Sequence, residues 1–100
     1  MVSFKEVWDK FQRVCVGEGR YIGLVFRTPG KKTEFGTIAI IGMKDDLERV
    51  MAIARDIGQV CVAIVEFDKK ESAWLNAKRS KRMAIIEAIC GKIGAAGFQS

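Results

Sequence analysis

Between positions 4 and 15 the apolar residues Phe4, Val7, Trp8, Phe11, Val14 and Cys15 recur at spacings of three and four, opposite Lys5, Asp9, Lys10 and Arg13. That is the pattern of an amphipathic helix with one buried stripe. Ser3 and Glu6 stand at capping-box spacing, Val2 and Val7 at the spacing of a hydrophobic staple, and Gly17 and Gly19 end the helix. From Arg20 the period changes to two. Ile22, Leu24 and Phe26 alternate with Tyr21, Gly23, Val25 and Arg27, which predicts a strand over residues 20–28. Pro29 and Gly30 signal a turn, and residues 34–41 alternate again, so the two strands form a hairpin. A second helix opens at Asp45 with Asp46 and Glu48 in its first turn. It buries Leu47, Val50, Met51, Ala54 and Ile57 and stops at Gly58.

Residues 59–68 differ from everything before them. Val60, Val62 and Ile64 fall on one face, and Cys61, Ala63, Val65 and Phe67 on the other, so neither face is polar before Glu66. A strand apolar on both faces is covered on both, which marks this one as the centre of the sheet. Its crossover through the second helix sets the second and third strands parallel. After Asp68 the pattern conflicts with itself. Trp74, Leu75, Ile85, Ile86, Ile89 and Ile93 ask for one long helix, yet on a straight helix Arg82 would project from the same side as Leu75, Ile86 and Ile89. Either the helix overhangs the domain or it breaks near Ser80 into two. Past Gly91, the glycines Gly94 and Gly97 suggest a fraying end. The expected architecture is a single α+β domain over residues 1–100, in the order α-β-β-α-β-α, with a mixed three-stranded sheet packed by helices in two or three layers. The strand that ends at Ile41 carries neither charge nor proline from Gly36 on, an unprotected edge that suggests a homodimer.

Composition narrows the chemistry more than it names it. With 100 residues, 49% of them apolar, and a single proline, the chain suits one folded domain. No apolar run approaches the roughly 20 residues of a membrane span, and the expectation is a soluble, cytoplasmic protein with no membrane partner. Histidine is absent, which removes the commonest general base, metal ligand and nucleophile partner. Cys15, Cys61 and Cys90 are odd in number, far apart and on apolar faces, so they read as buried reduced thiols. No catalytic residue, metal site or cofactor is expected.

Charge supplies the one candidate site. The net charge is +5, and Lys69, Lys70, Lys78, Arg79, Lys81 and Arg82 crowd into fourteen positions against only Glu71, with Trp74 among them. Several cations beside an aromatic ring suit phosphates and a stacked base, so the leading expectation is a non-catalytic nucleic-acid-binding protein. Lys31 and Lys32 at the hairpin tip would add to the same surface. The same residues would equally serve an interaction module or inhibitor directed at an acidic protein surface, a style that would suit a phage or mobile element. A third reading takes Glu66, Asp68 and Lys70, with Asp45 or Asp46 upstream, as the carboxylates and lysine of a Mg²⁺-dependent nuclease of the PD-(D/E)xK kind. Against it, Asp68 and Glu71 also have the spacing of a capping box. Gly17 and Gly19 precede a strand rather than link a strand to a helix, so they are no phosphate loop.

Overall fold

The computed structural model describes residues 1–30 and 37–96. It is an α+β domain with four α-helices and a three-stranded sheet among these residues. Helix α1 (Phe4–Lys10) runs on as a π-helix over Phe11–Gly17, followed by strands β1 (Ile22–Arg27) and β2 (Thr37–Ile41), helix α2 (Lys44–Asp56) and strand β3 (Val60–Glu66). Helices α3 (Lys69–Ala77) and α4 (Arg82–Ala96) complete it. The order is the expected one, with the last helix divided in two near Ser80.

The centre of the sheet is not where the apolar pattern put it. Strand order is β2-β1-β3, and both ladders are antiparallel. β2 and β3 do run in the same direction, as the crossover through α2 requires, but β1 lies between them and the sheet has no parallel ladder. All six residues of β1 are buried. β3 is apolar on both faces for another reason: helices cover it on both sides although it stands at an edge. That edge is partly closed, since the Val2 N–H donates to the Cys61 carbonyl at 2.9 Å.

Two cores result, one on each face, in three layers. On one face Ile22, Leu24 and Phe26 meet Val7, Phe11, Val14 and Leu47 of the α1 and α2 layer. On the other Val25, Val65 and Phe67 meet Leu75, Ile89 and Ile93 of the α3 and α4 layer. A β-bulge decides which face the start of β3 serves. Val25 pairs with Ala63 but Phe26 pairs with Cys61, so Val62 is the extra residue. Cys61 therefore joins Ile64 in the first core and Val60 joins Ala63 and Val65 in the second, reversing the strict alternation expected for both.

Local chemistry sets the helix ends. Ser3 Oγ accepts the Glu6 N–H at 3.2 Å. Gly19 takes a positive φ of 66° where the π-helix stops, and the Arg20 N–H closes that end on the Val14 carbonyl at 2.9 Å. Of the expected stripe, Val7, Phe11, Val14 and Cys15 are buried, whereas Phe4, in the first turn of α1, remains 61% exposed. Helix α2 begins at Lys44, one residue before the expected start, with Met43 as an N-cap that offers no side-chain bond; Asp45 and Asp46 sit in the first turn instead. Of its expected stripe, Leu47 and Ala54 are buried but Ile57 is exposed, because the helix ends there. Asp68 and Glu71 form a complete capping box on α3, with N···O distances of 2.7 and 3.1 Å.

Candidate functional site

Carboxylates and cations are matched on one side of the molecule. Glu66, at the end of β3, accepts from Lys10 and, at 2.7 Å, from Arg13, and lies 3.7 Å from Arg20. Arg20 in turn donates to the Phe67 carbonyl at 2.5 Å and to Glu18 at 2.6 Å. The Arg13 hydrogen bond, reinforced by Lys10 and opposed by burial, lowers the Glu66 carboxyl from 4.5 to about 2. A carboxyl depressed in the folded state stabilises above its unfolded value and loses that contribution as pH falls through its folded value. Wild-type stability should therefore decline from about pH 4.5 towards pH 2. Glu66→Gln should melt about 4–8 °C lower at pH 7, corresponding to roughly 1 kcal/mol after discounting for the exposed partners, and the difference should close near pH 2 in calorimetry.

The six cations of the basic run are arranged differently. Among the described residues, Lys69, Lys70, Lys78, Arg79, Lys81 and Arg82 make no ion pair and no side-chain hydrogen bond. Lys69 and Lys70 open α3, and Lys70 and Trp74 stand one turn apart on its exposed face. Lys78 caps the helix, and the Lys81 N–H donates to the Lys78 carbonyl at 2.7 Å across the turn. Arg82 is the first residue of α4 and is exposed, so the break near Ser80 resolves the conflict that a straight helix would create. Glu66 and Asp68, the carboxylates nearest to Arg82 in sequence, do not pair with it: Glu66 is held by the α1 layer and Asp68 caps α3. Trp74 is 41% exposed. Lys31 and Lys32 lie outside the described residues.

The corner is fastened from beneath. Ser72 is buried and its Oγ accepts the Tyr21 N–H at 3.2 Å. The Tyr21 hydroxyl donates to Asn76 at 2.9 Å. Lys92 of α4 reaches Glu71 of α3 at 2.6 Å and stands 5.5 Å from the centre of the Phe67 ring. These ties fix the two helices relative to β1, and the basic residues project from a braced platform.

Beside the platform is a cleft of about 400 Å³ that the sequence did not announce. Its floor and walls include Ile38 and Ile40 of β2, Ile85 and Ile86 of α4, and the Tyr21 ring; Arg79, Arg82 and Asp46 stand around it. Tyr21 read as one residue of an ordinary strand. The available signal was Gly42: a Cβ there would stand 2.3 Å from the Tyr21 ring, so a glycine at the end of β2 makes room for it.

The remaining candidates fall elsewhere. Cys15 and Cys61 are buried, and burial pushes both thiols up to about 11, so they are protonated and unreactive at neutral pH. Cys90 is half-buried. Of the nuclease set, Glu66 is engaged with three cations, Asp68 is engaged in capping, and Asp46 borders the cleft. No group of three or more acidic or cysteine residues is placed to hold a metal ion among the described residues. None of the described helices is long and apolar enough to cross a membrane. Comparison with protein-family models, curated proteins and solved structures finds no match to this chain.

Proposed function

We propose that the protein is a non-catalytic nucleic-acid-binding protein that holds a single strand against the α3–α4 corner with little sequence preference. The observation that carries this reading is the segregation of charge. Lys10, Arg13, Arg20 and Lys92 have carboxylate partners, whereas the six cations of the corner have none among the described residues; Arg49 and Arg55 of α2 are also without one, but only at the corner are six such cations gathered within fourteen positions. Unpartnered cations repel one another, and a polyanion relieves that repulsion while releasing its own counterions. Trp74, exposed in their midst, offers a face on which a base can stack. Lys31 and Lys32 join the proposal on charge alone. Reduced thiols such as Cys15 and Cys61 suit action in the cytoplasm.

The test is a titration of a fluorescently labelled single-stranded oligonucleotide, followed by anisotropy. Trp74→Ala should weaken binding by about 10-fold, and Trp74→Phe should retain most of it, because stacking contributes about 1–3 kcal/mol per base. An alanine variant that binds as tightly as wild type, or a wild type that binds nothing at low salt, would overturn the reading.

A second reading, association with another protein chain, is favoured by β2. Thr37–Ile41 pairs with β1 on one side and with no strand on the other among the described residues, and it carries no charge. A second copy added there would extend the sheet to six strands. Light scattering over a tenfold range of concentration should then show a dimer that Ile40→Pro, which removes an N–H on the free side of β2, abolishes, and a monomer throughout would contradict it.

A further inference from the structure

The cleft between β2 and α4 is a consequence of how α4 is seated. Ile89 is fully buried and lies so close to β1 that a Cβ on Gly23 would stand 3.3 Å from its Cγ1. Helix α4 is thus committed to β1 and β3, and the β2 side of the same face is left half-covered, with Ile38 and Ile40 partly exposed. Ile85 and Ile86 face them across the gap, so its walls are apolar. The rim is not. Arg79 and Arg82 border the cleft without a carboxylate partner, and the Asn76 amide, whose oxygen is taken by Tyr21, keeps its N–H₂ free among the described residues. Asp46 on the α2 side pairs with neither guanidinium.

From this arrangement we infer that the cleft binds a small amphiphilic anion, an apolar chain or ring system that carries one carboxylate or phosphate head. Its apolar body covers the isoleucine walls, which otherwise remain in water on a sheet face. Its head takes the donors of Arg79 and Arg82, whose planar forks match the oxygens of a carboxylate or phosphate. The volume of about 400 Å³ lies within the roughly 300–1,000 Å³ of small-molecule sites. A cation is disfavoured by two guanidiniums against one carboxylate, and a neutral apolar molecule leaves both guanidiniums without a partner. The inference goes beyond nucleic-acid binding and does not rest on it: Arg79 and Arg82 belong to both sites, so the amphiphile and an oligonucleotide compete for the two guanidiniums, whereas the isoleucine walls serve the amphiphile alone.

The experiment titrates the full chain with decanoate, decyl phosphate and decanol, each below the concentration at which it forms micelles, and follows isoleucine methyl signals by NMR. At least one of the two anions should saturate and shift the methyl groups of Ile40 and Ile86, and which of them binds more tightly identifies the head. Decanol should bind about 10-fold or more weakly, and Arg79→Gln with Arg82→Gln should remove that preference. Ile86→Trp, which fills the cleft from its wall, should abolish saturation without lowering Tm. Equal binding of decanol and the anions, shifts confined to another surface, or no saturation by either anion would overturn the proposal. So would a concentration-dependent dimer that Ile86→Trp breaks in the absence of any added molecule, which would assign the cleft to a second copy of the chain.

Discussion

Gly23→Val should leave the protein unfolded at 37 °C, and the milder Gly23→Ala should lower its Tm by about 8–16 °C. The reason lies in the centre of the sheet. A Cβ at position 23 would stand 2.7 Å from Val65 Cγ2 and 3.3 Å from both Ile89 Cγ1 and Phe67 Cε2. Those neighbours are themselves buried, so none can swing into solvent. Overpacking of a close-packed core costs about 1–3 kcal/mol, and about 2 kcal/mol corresponds to the stated shift in a domain of this length. Valine adds two more methyl groups against Ile89 and forces α4 away from β1. Thermal melts by circular dichroism check both variants. An alanine variant that melts with the wild type would mean that α4 does not sit against Gly23, and with it the half-covered β2 face would lose its explanation.

The double reversal Arg79→Glu with Arg82→Glu should weaken oligonucleotide binding by at least about 50-fold at 50 mM salt, with little loss of stability. At that salt each phosphate contact to a single strand contributes about eightfold, so two lost contacts approach a factor of about 60 before any repulsion from the new carboxylates. Both residues are exposed and make no ion pair among the described residues, so the variant should stay within about 0.5 kcal/mol of wild type, as surface positions do. Melting and binding measured on the same preparation separate the two effects. A large loss of stability with binding retained would mean that the guanidiniums serve the fold.

Much of this was legible because local chemistry and packing agreed. The stripe of Val7, Phe11, Val14 and Cys15, the hairpin, and the Asp68–Glu71 capping box were all written in spacing. The position of Arg82 was legible as a conflict, and the chain resolves it by breaking the helix at Ser80. What failed was the inference from two apolar faces to a central strand. Burial on both faces reports how many layers cover a strand, not how many strands flank it, and β3 is covered by helices on both sides at the edge of the sheet. Meanwhile β1 carries Gly23 and Arg27, which made it look less central than it is. The bulge at Val62 left no mark because alternation alone cannot show where a register slips. The cleft was hidden for a related reason: Ile38, Asn76 and Ile86 come from three elements and Tyr21 from the loop before β1, and their meeting depends on where α4 settles.

The dependence of oligonucleotide binding on salt is the most direct measurement of whether the α3–α4 corner takes up phosphates. If four of its six cations engage them, Arg79 and Arg82 included, the wild-type affinity should fall about 50-fold between 50 and 200 mM salt, a slope of about −2.8 in log K against log salt. Neutralising Arg79 and Arg82 to glutamine should bring that slope to about −1.4. A wild-type slope near zero, or a slope that the two substitutions leave unchanged, would contradict phosphate binding at this corner.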